Sequence, residues 1–389
     1  MQSIAIVGRV VVQSIAQAAP IGLLCELHIM VKLSDIAKQA GVSESTVSRA
    51  LAHSPRISAQ KKHLIQQIAF DAGYKVNQVA RNLRVRSTLT IGLVVPEVTN
   101  PYFPRLVQLI ADSARVAGYR LQLHLSGSAQ DAEADCLTSL REQRVDGVVL
   151  VTSENGLVAR DALNDMVSSG MPVVLLGWVS EMPDVDMVYG DDAAGGYLIA
   201  NYLMQLGHRR IATLGLAPHR GPFDRLVGFK RGLSEGGILT DLEIPGRTDD
   251  EIRVGIENLL KLQNPPTAIF AYQDSLAAMA CRYLRQSCIS IPAEISVVGF
   301  DNLILGTYLC PQLTTVDLSM EEMASSAIDV LVDRMKSLST QRAANHLLIQ
   351  PRLIVRESCT HPRAIDSIKW NGESCPAADC SIKQQGPCK

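Results

Sequence analysis

The chain has 389 residues, which is more than one compact domain usually needs, so several domains are expected. Its 47% hydrophobic and 20% charged residues exclude a disordered chain, and the lack of an apolar run of about 18 residues excludes a membrane-spanning helix. The net charge of −2 is unevenly distributed: residues 31–87 hold ten Lys/Arg and three acids, +7 in all, and the remainder carries −9. A small basic module on an acidic body indicates that one part contacts a polyanion, unless the basic face is only solvated.

Residues 1–30 are apolar without a clear periodicity. Ala16 to Ala19 faintly resemble a signal-peptide cleavage site, but a basic module of nucleic-acid type directly behind them argues against export. We interpret this stretch as an extension that precedes the first domain, with Met30 as the natural start, and expect a cytoplasmic protein.

Residues 33–51 have the pattern of two short helices joined by a turn. Ser34 is predicted to cap the first helix, and Gly41 to end it, because glycine adopts a left-handed backbone at little cost. Ser43 is predicted to cap a second helix over Glu44–Leu51, with Val47, Ala50 and Leu51 facing inward. Ser58 is predicted to start a third helix whose inner face is Leu64, Ile65, Ile68 and Ala69. Two helices with a glycine-containing turn, closed by a third, form a helix-turn-helix unit.

The second of these helices exposes polar side chains that can approach the major groove of DNA. The candidates are Ser43, Glu44, Ser45, Thr46, Ser48 and Arg49. Arg49 can form a bidentate pair with guanine, and Ser43 with the neighbouring amides can hold a phosphate. The alternative is a small three-helix bundle that binds a protein partner.

The stretch from Asp35 to Leu51 resembles the opening of the lactose-repressor family, whose pattern DIAxxAGVSxxTVSRxL it matches at every fixed position. The resemblance implies that Glu44, Ser45 and Arg49 contact bases, and that Arg56 lies in a loop that also reaches the DNA. It further implies a near-palindromic operator bound by a homodimer, with a tetramer as an alternative.

Residues 77–83, Asn-Gln-Val-Ala-Arg-Asn-Leu, resemble the hinge helix of the same family. The family's Pro before Asn77 is Val76 here, which leaves the hinge freer. Asn77 can cap a helix that is too short to be stable without DNA. The resemblance implies that Leu83 is inserted into the minor groove, whereas periodicity alone favours a buried linker leucine. The candidate DNA contacts of the hinge are Asn77, Ala80, Arg81 and Leu83.

From residue 89 to about residue 357, strand and helix patterns alternate. The predicted strands are Thr90–Pro96, Leu121–Leu125, Asp146–Thr152, Pro172–Gly177, Ile211–Gly215, Thr267–Ala271 and Ser296–Phe300. The predicted helices are Tyr102–Ala117, Ala132–Gln143, Ala193–Leu206, Pro222–Leu233, Glu251–Leu262 and Ser275–Arg285. This alternation predicts parallel sheets covered on both faces, and the number of elements predicts two α/β lobes.

Family motifs continue through this region. They are Thr99 to Phe103 (TNPYF), Gly207 to Ala212 (GHRRIA), Arg225 to Phe229 (RLVGF), Val297 to Asn302 (VVGFDN) and Pro311 to Thr315 (PQLTT). The resemblance implies a fold similar to periplasmic binding proteins, with lobes that close on a ligand. It places the crossings between lobes near Val188–Asp192, near Asp317 and near Ile349. His208 is expected to be structural and not a metal ligand.

Ligands of such sheets lie beyond the carboxyl ends of the strands. The candidate effector-binding residues are Tyr102, Phe103, Arg225, Gln273 and Asp301. Asp301 directly follows the predicted strand Ser296–Phe300, and Gln273 and Asp274 follow the predicted strand Thr267–Ala271. The Arg225 guanidinium can donate a fork of hydrogen bonds. Tyr102 and Phe103 can stack on an apolar ligand face.

Each of these residues has a structural alternative. Asp301, and likewise Asp274, can cap helices, Arg225 can form a structural ion pair, and the two aromatics can belong to the core. In the resembled family the positions of Arg225 and Asp301 contact the effector. Gln273 replaces the family's usual Asn, and the longer amide is expected to shift the pocket.

The nine cysteines are scattered and form no CxxC pair, so we expect neither a zinc site nor any other cofactor. The sequence holds none of the phosphate-loop, HExxH or GxSxG motifs. The paired acids Asp191 and Asp192 suit a lobe junction as well as chemistry. We therefore expect no enzyme activity.

The predicted fold class is α/β: an N-terminal three-helix helix-turn-helix domain and hinge helix, followed by a two-lobed periplasmic-binding-protein-like domain of parallel sheets. We expect the extension at 1–30, the helix-turn-helix domain at 31–76, the hinge and linker at 77–88, and the effector-binding and dimerisation domain at 89–357. A disordered tail with free thiols is expected at 358–389. The expected function is a DNA-binding transcription regulator, on balance a repressor, controlled by a sugar or sugar derivative. The alternative is a secreted sugar-binding protein without a DNA function.

Overall fold

The computed structural model describes residues 31–51, 54–74, 87–127, 131–151, 159–177, 182, 184–215, 220–238, 242–246, 248–337 and 343–362. The chain divides between Arg86 and Ser87 into two compact units. None of the helices in these ranges combines the length and apolarity needed to cross a bilayer.

The first unit contains three helices, α1 (Leu33–Ala40), α2 (Glu44–Leu51) and α3 (Ala59–Asp71). Its core is formed by Ile36, Val47, Ala50 and Ile65, each at most 1% exposed. Gly41 ends α1 with φ +63°, and the Val42 N–H donates to the Ala37 carbonyl at 3.0 Å. This left-handed turn brings α2 back across α1, as the predicted helix-turn-helix requires.

Two expectations about this unit are wrong. Ser34 does not cap α1, because the helix begins one residue earlier and the Asp35 carboxylate accepts the Lys32 N–H at 2.9 Å. A charged carboxylate in the first turn is the better acceptor there. Leu64 is 52% exposed, whereas Ile65 and Ala69 are buried. The buried face of α3 follows Ile65 and Ala69, one turn apart, and Leu64 falls outside it.

The second unit alternates strands and helices. The strands are β1 (Thr90–Val95), β2 (Arg120–Leu125), β3 (Gly147–Val151), β4 (Val173–Leu176), β5 (Asp186–Gly190), β6 (Ile211–Leu214), β7 (Glu243–Ile244), β8 (Ala268–Ala271), β9 (Ser296–Val298), β10 (Thr315–Asp317), β11 (His346–Ile349) and β12 (Arg352–Ile354). The helices are α4 (Tyr102–Val116), α5 (Ala132–Glu142), α6 (Arg160–Ser168), α7 (Asp192–Gln205), α8 (Arg220–Glu235), α9 (Asp249–Leu260), α10 (Asp274–Gln286), α11 (Leu305–Tyr308) and α12 (Met320–Lys336).

Two parallel sheets define two lobes. Lobe 1 has the six-stranded order β11-β5-β4-β3-β1-β2, and lobe 2 has the four-stranded order β7-β6-β8-β9. Every paired strand within these two sheets runs parallel. Strands β1, β3 and β4 are almost entirely buried, as expected for strands covered on both faces.

The chain passes between the lobes where the family resemblance places the crossings. Strand β5 belongs to lobe 1, and helix α7, which follows it, packs on α8 in lobe 2. Strand β10 leads from lobe 2 into α12, which packs on β3, β4 and β5. Strand β11 returns to lobe 1, and β12 then pairs antiparallel with β10.

The start of the second unit is held by one carboxylate. Asp146, at the entry to β3, accepts the Thr88 N–H at 2.7 Å, the Leu89 N–H at 2.8 Å and the Ser87 hydroxyl at 2.5 Å. The first residues of the second unit are therefore tied to the sheet of lobe 1.

The expected disordered tail does not begin at residue 358. Ser358 is fully buried. Its hydroxyl accepts the Thr314 N–H at 2.9 Å and donates to the Val297 carbonyl at 2.5 Å. The Thr360 N–H donates to the Ser296 hydroxyl at 3.0 Å. This segment satisfies polar groups of lobe 2 beside β9, which gives it a fixed place. Residues 363–389 lie outside the described ranges.

Candidate functional site

The candidate DNA contacts of the first unit lie on and beside α2. Ser43 precedes the helix, and its hydroxyl accepts the Thr46 N–H at 3.3 Å, as the sequence predicts for an N-cap. Glu44, Ser45 and Arg49 are exposed. Because the opposite face is buried in the core of the unit, these side chains stand on a rigid surface.

The remaining candidates in this unit have different environments. Thr46 and Ser48 are half-buried, and Arg56 is exposed in the turn before α3. The hydroxyls of Ser45 and Thr46 each lie 2.9 Å from the Ser43 hydroxyl. The predicted hinge contacts Asn77, Ala80, Arg81 and Leu83 lie outside the described residues.

The second unit brings one arginine and three acids together in lobe 2. We call this group the Arg225 cluster; it consists of Arg225, Asp192, Asp274 and Asp301. The Arg225 Nε donates to Asp192 Oδ1 at 2.6 Å, Nη1 donates to the Tyr272 carbonyl at 2.6 Å, and Nη2 lies 3.1 Å from Asp301 Oδ1. The Arg225 side chain is only 9% exposed.

Close contact between two helices places Arg225 beside Asp192. A Cβ added to Gly196 of α7 would lie 1.9 Å from the Arg225 carbonyl oxygen, and one added to Gly228 of α8 would lie 1.8 Å from the Ala193 carbonyl oxygen. Only glycine permits backbones to approach this closely. Gly228 of the RLVGF motif therefore has a packing role. The close approach of the two helices places Arg225 beside the first turn of α7.

The VVGFDN motif supplies the other side of the cluster. Gly299 leaves room for Asp274, since a Cβ there would lie 2.2 Å from Asp274 Oδ1. The Phe300 ring covers one face of the guanidinium, with 3.8 Å between the Arg225 Cζ and the ring centroid. Asp301 has φ +106°, an unusual backbone for a non-glycine residue, and this conformation follows the end of β9.

The structure shows what the carboxylates of the two candidate helix caps contact. Asp274 is the first residue of α10, yet its carboxylate accepts the Thr315 hydroxyl at 2.6 Å and the Leu303 N–H at 2.7 Å. It thus links α10 to two distant segments. The Asp301 carboxylate faces Arg225. In both cases the side chain makes contacts that a helix cap does not need.

Burial dominates the electrostatics of this cluster. Burial raises the pKa of Asp301 to about 8, opposed by Arg225, and raises the pKa of Asp274 to about 7, opposed by the hydrogen bonds from Thr315 and Leu303. Burial would lower the pKa of Arg225, but Asp301 and Asp192 raise it above its ordinary value. Arg225 therefore remains a cation held between acids.

The aromatic candidates lie at the start of α4 in lobe 1. Burial raises the pKa of the Tyr102 hydroxyl, and the charge of Asp301 raises it further, opposed by Arg225. Phe103 is 7% exposed and belongs to the core, with its ring edge-on to Tyr102 at 5.4 Å. Gln273 is half-buried directly before α10.

Sequence reasoning placed Asp274 beside Gln273 after a predicted strand, and it treated Asp192 as one of two paired acids that suit a lobe junction as well as chemistry. Asp192 stands two residues after the end of β5 and begins α7, which is the position where strand ends and helix starts meet in such sheets. The strand that precedes it was not predicted, because its five residues begin with an acid and end with Gly190. Recognition of β5 would have drawn attention to Asp192.

His208 has a structural role, as expected. It is 1% exposed; one ring nitrogen lies 2.8 Å from the Thr267 hydroxyl and the other 2.9 Å from the Thr360 carbonyl. Within the described ranges, no three His, Cys, Asp or Glu side chains are grouped so that they could hold a metal ion.

Two family models match this chain. Residues 32–77 match the model "Bacterial regulatory proteins, lacI family". Residues 200–359 match "Periplasmic binding protein-like domain".

Curated relatives are similar over nearly their whole length. The HTH-type transcriptional regulator DegA of Bacillus subtilis is 31% identical over 327 residues, which cover 83% of this chain and 96% of DegA. The HTH-type transcriptional repressor PurR of Photobacterium profundum is 30% identical over 334 residues, which cover 85% of this chain and 98% of PurR.

Solved structures share the architecture. The lac repressor dimer bound to operator and the anti-inducer ONPF superposes with a TM-score of 0.76 at 24% identity, over 85% of this chain and 99% of that one. The complex of the transcriptional regulator CelR with cellobiose gives a TM-score of 0.63 at 27% identity, over 84% of this chain and 99% of CelR.

Proposed function

Because this chain belongs to the LacI family of bacterial transcription regulators, we propose that it represses transcription from a near-palindromic operator under the control of a small-molecule effector. The observation that carries the proposal is the surface of α2. Val47 and Ala50 are fully buried, while Glu44, Ser45 and Arg49 point to solvent on the opposite face. Such a helix can lie in the major groove without loss of its own core contacts.

The proposed DNA contacts divide into two groups. Glu44, Ser45 and Arg49 contact base edges, and Ser43, Thr46, Ser48 and Arg56 contact the backbone or adjacent bases. Arg49 supplies most of the specificity, since a bidentate arginine–guanine pair discriminates by about 1–3 kcal/mol. An operator-binding protein acts where the chromosome is, so we assign it to the cytoplasm.

We assign residues 77–88 to a hinge and linker, of which residues 77–83 become helical on the operator. Leu83 then inserts between base pairs and kinks the duplex, together with Asn77, Ala80 and Arg81 on the backbone or in the minor groove. Leu83→Ala should weaken operator binding and reduce DNA bending in a gel-phasing assay. Equal bending by the variant would contradict the insertion.

The proposed effector site is the Arg225 cluster with Tyr102 and Gln273 at its edge, and Phe103 supports Tyr102 from the core. The cluster lies where the carboxyl ends of β8 and β9 meet the start of α10, the usual ligand position in parallel α/β sheets. The cellobiose complex of CelR supports a sugar or sugar derivative as effector. No catalytic step is part of this proposal.

We propose that the protein acts as a homodimer through its large units. Two recognition helices then enter successive major grooves about 34 Å apart. An effector changes operator affinity only if it binds the two states of the dimer with different affinity.

The test is a selection of operator sequences from random duplexes with the purified full chain at fixed salt, because salt sets the nonspecific background. We expect enrichment of a palindrome with half-sites one helical turn apart. A parallel selection with protein that starts at Met30 shows whether residues 1–30 impede binding. If neither protein enriches any motif, with or without a pool of sugars, the proposed function is wrong.

A further inference from the structure

The chain enters the second unit at a carboxylate that is saturated with hydrogen bonds. Asp146 Oδ1 accepts the Thr88 N–H at 2.7 Å and the Thr88 hydroxyl at 3.0 Å. Asp146 Oδ2 accepts the Leu89 N–H at 2.8 Å and the Ser87 hydroxyl at 2.5 Å. A carboxylate has about four acceptor sites, so residues 87–89 fill it. We call Asp146 with Ser87, Thr88 and Leu89 the Asp146 clamp.

Backbone hydrogen bonds extend the clamp to both neighbours of β1. The Arg120 N–H at the start of β2 donates to the Leu89 carbonyl at 2.8 Å, and the Asp146 N–H directly before β3 donates to the Thr90 carbonyl at 2.8 Å. Strand β1 lies between β2 and β3 in the sheet of lobe 1. The first residues after the unit boundary are therefore fixed to three strands.

Leu89 has a backbone conformation that its residue type disfavours. Its φ is +50°, in the left-handed region where a bulky residue is rare. Leu89 is also 44% exposed, so a well-packed side chain is not what holds it. The Asp146 carboxylate on its N–H and the Arg120 N–H on its carbonyl do so. Strained residues of this kind persist where the surrounding structure over-determines them, and they concentrate at functional sites.

The place of the clamp in the chain gives it a consequence for DNA binding. The chain divides between Arg86 and Ser87, and it passes from one unit to the other only once. A linker whose end is fixed in position and direction allows fewer arrangements of the domain that it carries than a linker whose end is free. Fewer arrangements mean a lower entropic cost when two linked sites must bind at the same time.

We infer that Asp146 is a positioning residue for operator binding: the clamp fixes where and in which direction the chain leaves lobe 1, and thereby sets the half-site spacing that a dimer accepts. The inference rests on the proposed function and adds the residue that aligns the two recognition helices. Asp146 acts through residues 87–89 and makes no contact with DNA itself.

Half-site spacing provides the first test. One base pair inserted at the centre of the selected operator rotates one half-site by about 35° and moves it by about 3.4 Å. Wild type should bind this duplex at least about 10-fold more weakly than the selected operator, which is about 1.4 kcal/mol. A loss of active protein lowers binding to both duplexes equally, so the ratio of the two affinities reports positioning and not stability.

Asp146→Asn breaks the clamp at nearly constant volume, because the amide nitrogen cannot accept two of the four donors. The spacing ratio should fall by at least about 3-fold, since the chain then leaves lobe 1 in more than one direction. Asp165→Asn, at an exposed acid of α6 in lobe 1, changes the net charge equally and should keep the wild-type ratio. A folded Asp146→Asn with the wild-type ratio would overturn the inference, as would a wild type that binds both duplexes equally.

Two substitutions of Leu89 give a test that does not require the Asp146 variant to fold. Leu89→Ile keeps an apolar side chain of equal size but is β-branched and disfavours the left-handed region, whereas Leu89→Asn is polar and tolerates it. Leu89→Ile should therefore lose spacing discrimination, and Leu89→Asn should keep it. The reverse order would assign the role to the apolar side chain, and two wild-type ratios would assign no role to this backbone; either result would overturn the inference.

Trypsin tests the clamp without DNA. Cleavage after Arg86 requires residues 87–89 to enter the protease, so its rate follows the open fraction of the clamp. Mass spectrometry of the first products should show cleavage after Arg86 at least about 10-fold faster in Asp146→Asn than in wild type, with cleavage elsewhere in lobe 1 unchanged. Equal rates would show that the carboxylate does not hold the linker, which also overturns the inference.

The outcomes separate this inference from the proposed function. A wild type that selects no operator contradicts the proposed function, whatever trypsin shows at Arg86. A wild type that selects an operator and discriminates its spacing supports the proposed function, and unchanged discrimination in Asp146→Asn and Leu89→Ile would then remove only the positioning role.

Discussion

In the helix-turn-helix unit the candidate DNA contacts lie between Ser43 and Arg49, with Arg56 close behind, whereas the Arg225 cluster joins residues from position 192 to position 301. The first surface is one face of one helix, and its geometry follows from helical periodicity. The second requires two helices in backbone contact and three segments that converge only after lobe 2 has folded.

Substitutions in the two regions should therefore have different effects on binding and on stability. A substitution on α2 can remove a contact with DNA and leave the unit folded, because the exposed face contributes little to its core. A substitution in the Arg225 cluster is expected to change both the proposed effector binding and the stability of lobe 2, because the same buried side chains would serve both.

The largest effect is expected for Arg225→Ala. It leaves Asp192 and Asp301 without their cation in a buried site, and loss of one partner from such a group costs about 3–5 kcal/mol. Urea unfolding followed by hydrogen-exchange mass spectrometry should show the loss in peptides of lobe 2, with α1 to α3 unchanged. A matched Arg115→Ala, at an arginine that is 76% exposed, should change the stability of neither lobe 2 nor the helix-turn-helix unit. If Arg225→Ala destabilises both units equally, the two regions do not respond separately.

The next effect is expected for Gly228→Ala. The added Cβ would meet the Ala193 carbonyl oxygen at 1.8 Å, and overpacking of this kind costs about 1–3 kcal/mol. The helices α7 and α8 must separate, so sugar binding should weaken in calorimetry although no cluster side chain is altered. Gly237→Ala, where a Cβ meets no atom within 4 Å but φ is +70°, measures the cost of backbone strain alone. Unchanged sugar affinity in Gly228→Ala would show that helix contact does not position Arg225.

Arg49→Ala tests the DNA surface. We expect a loss of about 2 kcal/mol, or roughly 30-fold, in affinity for the selected operator, with unchanged circular dichroism and unfolding midpoint. Competition with nonspecific DNA in a gel-shift assay measures the ratio of specific to nonspecific affinity. A variant that keeps the wild-type preference at every base pair would remove Arg49 from base recognition.

Ser43→Ala should reduce the stability of the helix-turn-helix unit by a smaller amount. The hydroxyl satisfies the Thr46 N–H at the start of α2, and such caps contribute about 1 kcal/mol. Hydrogen exchange in α2 should accelerate while that of lobe 2 stays constant. Ser34→Ala is the matched control, since Ser34 lies inside α1 and does not cap it; an equal loss there would argue against the capping role of Ser43.

The smallest effect is a pH dependence from His208. Burial lowers its pKa below the ordinary value of 6.5, so below about pH 6.5 the unfolded chain binds a proton that the folded chain does not. The free energy of unfolding should therefore fall as the pH decreases below 6.5 and level off above it. His208→Gln should reduce that slope in urea titrations at several pH values; an unchanged slope would assign it to other groups.

Much of this fold is accessible from sequence because it is encoded locally. Gly41 predicts the turn of the helix-turn-helix, and the long buried strands β1 and β3 are recognisable from their apolar runs. The strands β5, β7, β10, β11 and β12 were not predicted, nor were the helices α6, α11 and α12. These strands have two to five residues, too few for a periodic signal.

The sequence by itself determined the face of α2, the alternation of strands and helices, and the position of Asp301 after a strand. These features depend on residues within a few turns of each other. Only the tertiary structure decided that Asp192 and Tyr272 would occupy the Arg225 donors, that Asp274 would link α10 to Thr315, and that Ser358 would be buried in lobe 2. Such pairings depend on which distant segments pack together, and hydrogen-bond partners in a buried site are settled by that packing.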